Sequence, residues 1–569
     1  MGYYKHNENN KLDDAFFKAP SNEYRGAPFW AWNSTLDPDQ LREQIDIFKE
    51  MGLGGFNMHV RQGLETPYLE KDFMDAVRAC CEKAEKEEMY AWAYDEDRWP
   101  SGCVGGKLTT DIRYRMRYLF MTVKCLDSTS DMGKAYTEGT PFYLGAFAVT
   151  VDDNGFMTDY TAVSPDAAGD NVRYFYCMTK MDGEPRFNYQ TYADTMSKDA
   201  MDKFIELTHE VYKKEVGEHF GKSLPAFFTD EPQVARVGLL SSGFSDEDAT
   251  LPFTLDLPDT FRAEKGYDLC TRLPELFFAS CTDVAKKTRY DYYGHISERF
   301  CSAFADNIGD WCERNGVMLS GHALGEDTLY ENVLGGYESM RLYKKMQLPG
   351  IDCLFADKNF TAAVQCRSVV NQCGRDAMLS ELYGVTNWNF DFRGHKFHGD
   401  WQACLGVTVR CQHLAWQSMK GEGKRDYPAS IFYQSPWYRE YKYVEDHFAR
   451  LNTALTRGTN SKRVAVVHPL GTYWMEIASY AETRPVCNEI DKRFKDLAEW
   501  LITGMIDFDY LSESLLPELC PEGSAPLKVG KMSYDAVVVS DCVTLSEHTV
   551  KVLEQFKAAG GKLRKSYAI

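Results

Sequence analysis

The chain has 569 residues, 44% of them hydrophobic and 26% charged, which excludes a disordered, collagenous or coiled-coil protein. Asp and Glu outnumber Lys and Arg by 84 to 64, a net charge of −20, and no dense basic block occurs, so no nucleic acid partner is expected. No run approaches the roughly 20 apolar residues that cross a bilayer, and the first residues carry no apolar signal core; the expectation is no membrane partner and a cytoplasmic location.

Residues 24–33 read as a buried strand. Residues 37–51 follow as a helix, with Leu41, Ile45, Ile47 and Phe48 at helical spacing and Gly52 at its end. Strand 55–60, helix 71–88 and strand 89–97 continue the alternation, which predicts parallel pairing. The rhythm changes over 105–192, where strand-like 118–124, 142–151 and 172–178 are separated by Gly, Asp and Ser turns. An antiparallel β insertion after the third strand is predicted there. Helix 198–220, strand 226–230, helix 291–315 and strands 317–322, 351–355, 377–381 and 415–419 complete the set. Eight strands predict an α/β fold, a (β/α)8 barrel spanning 1–460. Residues 461–569 read as a separate α/β unit with apolar strands at 463–469 and 534–540. One further strand is expected where the chain stops after Gly561, so this unit reads as truncated. The 17 cysteines form no C-x-x-C pair, and reduced, buried thiols are expected.

In a barrel the working residues sit at the C-terminal ends of the strands. Strand 2 ends in His59 and Arg61, strand 3 in Asp95, Glu96 and Asp97, and strand 4 in Asp230 and Glu231. Strand 5 ends in His322 with Glu326 behind it, strand 6 carries Asp352, and strand 7 ends in Glu381 and Tyr383. Carboxylates dominate, with Trp30, Trp32, Trp92, Trp99 and Trp388 interleaved. That mixture suits glycoside hydrolysis, in which one carboxylic acid protonates the leaving oxygen and a second carboxylate activates water or attacks the anomeric carbon. Glu231 and Glu381 are the expected catalytic pair. Trp32, His59, Arg61, Asp95, Glu96 and Trp99 are expected to bind the sugar, together with Asp230, His322, Glu326, Tyr383 and Trp388. His59, His322 and Asp352 lack zinc-motif spacing and read as hydrogen-bonded barrel residues. Asp95-Glu96-Asp97 reads equally as a hard-cation site or as a loop bonding sugar hydroxyls. Lys424-Arg425-Asp426 reads as a salt-bridged loop.

Several stretches together resemble glycoside hydrolase family 106, the α-L-rhamnosidases. They are Pro28-Phe-Trp-Ala-Trp-Asn33, Met51-Gly-Leu-Gly-Gly55, Tyr94-Asp-Glu-Asp-Arg-Trp-Pro-Ser-Gly102 and Phe228-Thr-Asp-Glu-Pro232. Ser320-Gly-His322, Pro349-Gly-Ile-Asp352, Ser380-Glu-Leu-Tyr-Gly384 and Gly423-Lys-Arg-Asp-Tyr-Pro428 continue the series in family order over residues 24–456. The resemblance implies a carbohydrate substrate, an inverting mechanism with Glu231 and Glu381 as acid and base, and calcium near the sugar. Residues 461–569 resemble the flavodoxin-like domain that follows the barrel in several β-galactosidases. That keeps a retaining β-galactosidase-like activity open, and a barrel that binds sugar without turnover is the alternative of another class. A truncated unit with an open sheet edge is expected to be either loosely ordered or completed by another subunit's edge, the second of which makes the chain a homo-oligomer.

Overall fold

The computed structural model of the chain describes residues 2–5, 11–354, 358–421 and 431–566. Parallel strands close a barrel in chain order: β1 (Phe29–Trp32), β2 (Gly55–Val60), β3 (Tyr90–Tyr94), β4 (Ala226–Asp230), β5 (Met318–His322), β6 (Leu348–Cys353), β7 (Leu379–Leu382) and β8. The last strand is broken into Val409–Gln412, which pairs with β7, and Ala415–Trp416, which pairs with β1. The fold is a (β/α)8 barrel. The strand expected at 415–419 is only the second half of β8. A buried parallel strand normally reads as an apolar run, and Arg410 and Gln412 break that run in the first half. Phe355, expected in the sixth strand, lies outside the described residues, as does 423–428 with Lys424-Arg425-Asp426.

Successive strand side chains point to opposite faces, and that rule sorts the core. Phe29, Tyr94, Phe228, Leu348, Leu379 and Cys411 fill the barrel, whereas Trp30, Met58, Phe227, Leu319 and Ile351 pack among the helices. At the N-terminal mouth Tyr3 packs on Trp92 at 5.8 Å and Tyr4 stacks on Tyr24 at 4.8 Å. Helix Lys442–Leu455 seals the ring. Its buried Glu445 accepts from Arg410 at 3.0 and 2.7 Å, from Gln412 Nε2 at 2.8 Å, and from the Gly26 N–H at 2.8 Å. One carboxylate thus ties β8 to the segment entering β1.

The chain between β3 and β4 builds Arg117–Thr122, Phe142–Val151, Met157–Ala162 and Val172–Thr179 into an antiparallel sheet. Ala249–Pro252, from the loop after β4, adds a fifth strand beside Arg117–Thr122. The sheet therefore draws on two barrel loops, not one.

Beyond residue 461 a four-stranded parallel sheet runs in the order Phe508–Leu511, Val464–Val467, Ala536–Ser540, Lys562–Ser566. Counted along the chain this is 2-1-3-4, the flavodoxin-like doubly wound order. A strand, Lys562–Ser566, does follow Gly561 and takes the fourth place in that order. Lys562-Leu-Arg-Lys-Ser566 holds a single apolar residue, Leu563, because it is an edge strand with solvent on one side. Its charges are of the kind that discourage edge pairing. The opposite edge is covered by barrel helix Phe360–Cys373: Ser368 Oγ accepts from the Tyr510 N–H at 2.8 Å, Gln372 donates to the Tyr510 carbonyl at 2.8 Å, and Arg367 to that of Phe508 at 2.9 Å. No helix among the described residues is long and apolar enough to cross a membrane.

Candidate active site

Strand register assembles the site. His322 at the end of β5 pairs in register with Asp230 on β4, and Asp352 on β6 with Glu381 on β7. Alternation from the interior residues Phe228 and Leu379 carries Asp230 and Glu381 to the top of the lumen. Gly321 is required where β5 meets β4: its φ is 132°, and a Cβ there would lie 1.9 Å from the Thr229 carbonyl oxygen. The result is a ring of carboxylates around one imidazole.

His322 Nε2 stands 2.8 Å from Glu381 Oε2 and 3.5 Å from Asp230 Oδ1. The Tyr94 hydroxyl donates to Asp230 Oδ2 at 2.6 Å. Glu231, His322 and Asp352 each place one polar atom within 4.8 Å of the others. The Trp99 indole N–H donates to Glu231 Oε2 at 2.6 Å. Glu231 itself has φ of 42°, a left-handed backbone uncommon for a residue with a side chain, and strain of this kind clusters at functional sites.

Arg61 stands behind Glu381. It donates to His59 Nε2 at 2.9 Å and to His413 Nε2 at 2.8 Å. A guanidinium only donates, so both rings accept through Nε2 and carry their proton on Nδ1. His59 lies between Phe29 and Tyr94, with ring centroids 4.4 and 3.9 Å away. Burial above all, with Arg61 next, holds it well below the usual histidine range, and it is neutral. His413 Nε2 is 4.0 Å from Glu381 Oε1.

Burial raises Glu231 to about 7, against the pull of the His322 charge. Burial also raises Glu381, while its bond to His322 and the Arg61 charge pull it back. For His322 burial works the other way, but the Glu381 bond and the charges of Asp352 and Asp230 outweigh it and raise the imidazole well above its ordinary value. It is an imidazolium at neutral pH. Asp352 is raised by burial and then by the Glu381 charge.

The structure thus gathers Glu231, Glu381, Asp230, His322, Trp99, His59 and Arg61 as the sequence predicts. The other expected sugar ligands are placed as follows. Trp32 is fully buried outside the barrel, edge-on to Trp30 and Phe73, because it shares the outward phase of β1. Glu96 accepts backbone N–H groups from Asp97, Gly102, Cys103, Val104 and Gly105, so it ties a loop and has no lone pair to spare. Asp95 accepts from Ser101 Oγ at 2.5 Å, and Ser101 Oγ accepts from the Asp230 N–H at 2.8 Å; it positions β4. Glu326 lies beneath the ring, accepting from the Asp352 N–H at 2.5 Å and from the Tyr343 hydroxyl. Tyr383, with φ of 80°, turns outward onto Phe390 and His395. Trp388 is 44% exposed on the loop after β7. Sequence reasoning missed His413, which sits in the unrecognised break of β8, and Tyr94, whose signal was its phase in β3.

Calcium takes about six to eight oxygen ligands. The described residues offer only two three-member groups, Asp230–His322–Glu381 and Glu231–His322–Asp352, and each supplies two carboxylates and one imidazole nitrogen. Asp97 Oδ2 accepts from Arg98 at 3.0 Å and from Asn188 at 2.9 Å. This donor set does not fit calcium. Nor do His59, His322 and Asp352 form a zinc site, because His59 Nε2 faces Arg61.

No family model matches the sequence, and no curated protein matches it. Among solved structures the chain is similar to a rhamnosidase from Novosphingobium sp. PP1Y, at 13% identity and a TM-score of 0.66 over 97% of this chain and 70% of that one. It is also similar to a GH42 beta-galactosidase from G. stearothermophilus, at 10% identity and a TM-score of 0.57 over 95% and 72% of the two chains. A beta-galactosidase from Rahnella sp. R3 follows at 12% identity, with a TM-score of 0.53 over 97% and 72%. What these chains share is the fold.

Proposed function

We propose that the chain is a glycoside hydrolase that removes a terminal sugar by inversion, with α-L-rhamnosides as its substrate class. The carrying observation is Glu231: half-buried, raised to about 7, held by Trp99 and aimed into the ring by a strained backbone. Such a group is a proton donor at neutral pH. Glu231 protonates the glycosidic oxygen as the bond to the anomeric carbon breaks. Water attacks that carbon from the opposite face and gives its proton to Glu381. The His322 imidazolium and Arg61 keep Glu381 ionised for this step. The likeness to a rhamnosidase supports the sugar class. A cytoplasmic location belongs to the same reading, supported by cysteines that are all unpaired.

One observation favours a second reading, a retaining β-galactosidase-like enzyme. The polar atoms of Glu231 and Asp352 lie within 4.8 Å, near the roughly 5–5.5 Å carboxyl separation of retaining pairs and short of the 6.5–9.5 Å of inverting ones. Burial raises Asp352, however, which disfavours the ionised form that a nucleophile needs.

Screening aryl glycosides decides the substrate. Turnover of the α-L-rhamnoside supports the proposal, turnover of the β-D-galactoside alone replaces it with the second reading, and binding without turnover leaves a carbohydrate-binding barrel. Proton NMR of the first-formed product is expected to show the inverted anomer; the substrate's own configuration would sink inversion. Exhaustive chelation is expected to leave turnover unchanged, as the donor set requires. A large loss restored by added calcium would show a cation held elsewhere in the cleft.

A further inference from the structure

The C-terminal sheet reverses its strand order between Val464–Val467 and Ala536–Ser540. In doubly wound sheets, ligands lie outside the carboxyl ends of the strands at such a reversal. A cleft of about 370 Å³ opens there, and the catalytic proposal makes no use of it. The segments that follow Val467 and Leu511, the first of them leading into helix Leu470–Glu476, supply His468, Trp474 and Glu513 to one wall. Tyr290 and Glu338, from the barrel, supply the other.

The charges in this cleft do not balance locally. Glu264 pairs with Lys265 at 2.7 Å, and Arg341 is committed to Glu298 and Asp306 at 2.9 and 2.7 Å. Glu338 and Glu513 meet no lysine or arginine at ion-pair distance among the described residues. Glu338 accepts from Ser514 Oγ and Glu513 from the Ser546 N–H, each at 2.7 Å. Burial pushes both carboxyls above their ordinary range.

His468 adds a third acceptor, and its tautomer follows from its neighbour. Gln365 Nε2 donates to the carbonyls of Glu326 and Thr361 at 2.9 and 3.3 Å, which leaves Gln365 Oε1 as an acceptor 3.0 Å from His468 Nε2. His468 therefore carries its proton on Nε2, and Nδ1 is a bare acceptor. The ring is 3% exposed, and Nδ1 has no partner. Tyr290 and Trp474, with centroids 6.2 Å apart, line the same space, and aromatic faces attract cations. Two carboxyls without a basic ion-pair partner and one bare ring nitrogen thus line the cleft, a set that suits a cationic donor.

We propose that this cleft binds a small organic ammonium ion through Glu338, Glu513 and His468 Nδ1. The inference stands independently of the catalytic reading.

Titration calorimetry of the full chain with glucosamine, 1,4-diaminobutane and glucose tests it. Saturable binding of glucosamine or the diamine, with none of glucose, is expected; which amine binds tells an amino sugar from an alkyl amine. Glu513→Gln and Glu338→Gln are each expected to weaken that binding at least about tenfold. In Glu513→Gln the new amide oxygen would still accept from the Ser546 N–H, so this variant keeps its fold, and an unchanged melting temperature confirms this. If Glu338→Gln melts early, Glu513→Gln decides alone. No saturable binding of either amine, equal binding of glucose, or amine binding unaffected in Glu513→Gln overturns the proposal.

Discussion

Replacing Glu231 with glutamine is expected to lower kcat on an unactivated glycoside by roughly 10²–10⁴, the range for loss of a general acid or base. The pH profile identifies the role. A general acid must be protonated, so with Glu231 raised to about 7 the wild-type rate is full below that value and falls as pH rises through it. Glu231→Gln removes this alkaline limb. Aryl substrates with good leaving groups need little protonation and should lose least. Glu381 works in the opposite sense, because the base must be ionised and its rate is lost as pH falls through its own pKa. Burial places that acid limb above the ordinary carboxylate range. Glu381→Gln should therefore slow activated and unactivated substrates alike, by a similar factor. Near-normal turnover of Glu231→Gln on an unactivated substrate would remove it as the acid and make Asp352 the next residue to replace.

The largest effect on stability is expected at the seam of the barrel. Glu445→Ala strips the counter-charge from Arg410, whose side chain is 3% exposed, and leaves the Gly26 N–H without its acceptor. Breaking one partner of a buried ion pair costs about 3–5 kcal/mol, because a desolvated charge is left behind. Urea denaturation followed by circular dichroism should show that loss as a lower midpoint. Replacing both partners, Arg410→Met with Glu445→Leu, should recover most of it, since well-packed apolar residues often match a buried pair. The remaining deficit of about 1–3 kcal/mol is the orphaned Gly26 N–H. A loss below about 1 kcal/mol in Glu445→Ala would mean that water reaches Arg410 and the seam is not dry.

Parts of this arrangement were legible because they rest on local periodicity. Alternating strands and helices gave the barrel, and the rule that barrels work at strand ends singled out Asp230, Glu231, His322 and Glu381 without any knowledge of contacts. Only the tertiary structure decided which face each end presents. Trp32 and Tyr383 sit at strand ends as surely as His322 does, yet the phase of β1 sends Trp32 into the helix layer, and a left-handed turn sends Tyr383 onto His395. Glu96 follows Asp95 directly in sequence, but it is consumed by five backbone N–H groups of a loop that folds back upon it. His413 was hidden because β8 is interrupted, and because Arg410 and Gln412 are polar for a reason 35 and 33 residues away, the carboxylate of Glu445. Strand Lys562–Ser566 was hidden because an edge needs apolar residues on one side only. Periodicity records which residues are buried. It does not record the long-range partner that makes a buried polar group affordable, and in this protein those partners shape the site.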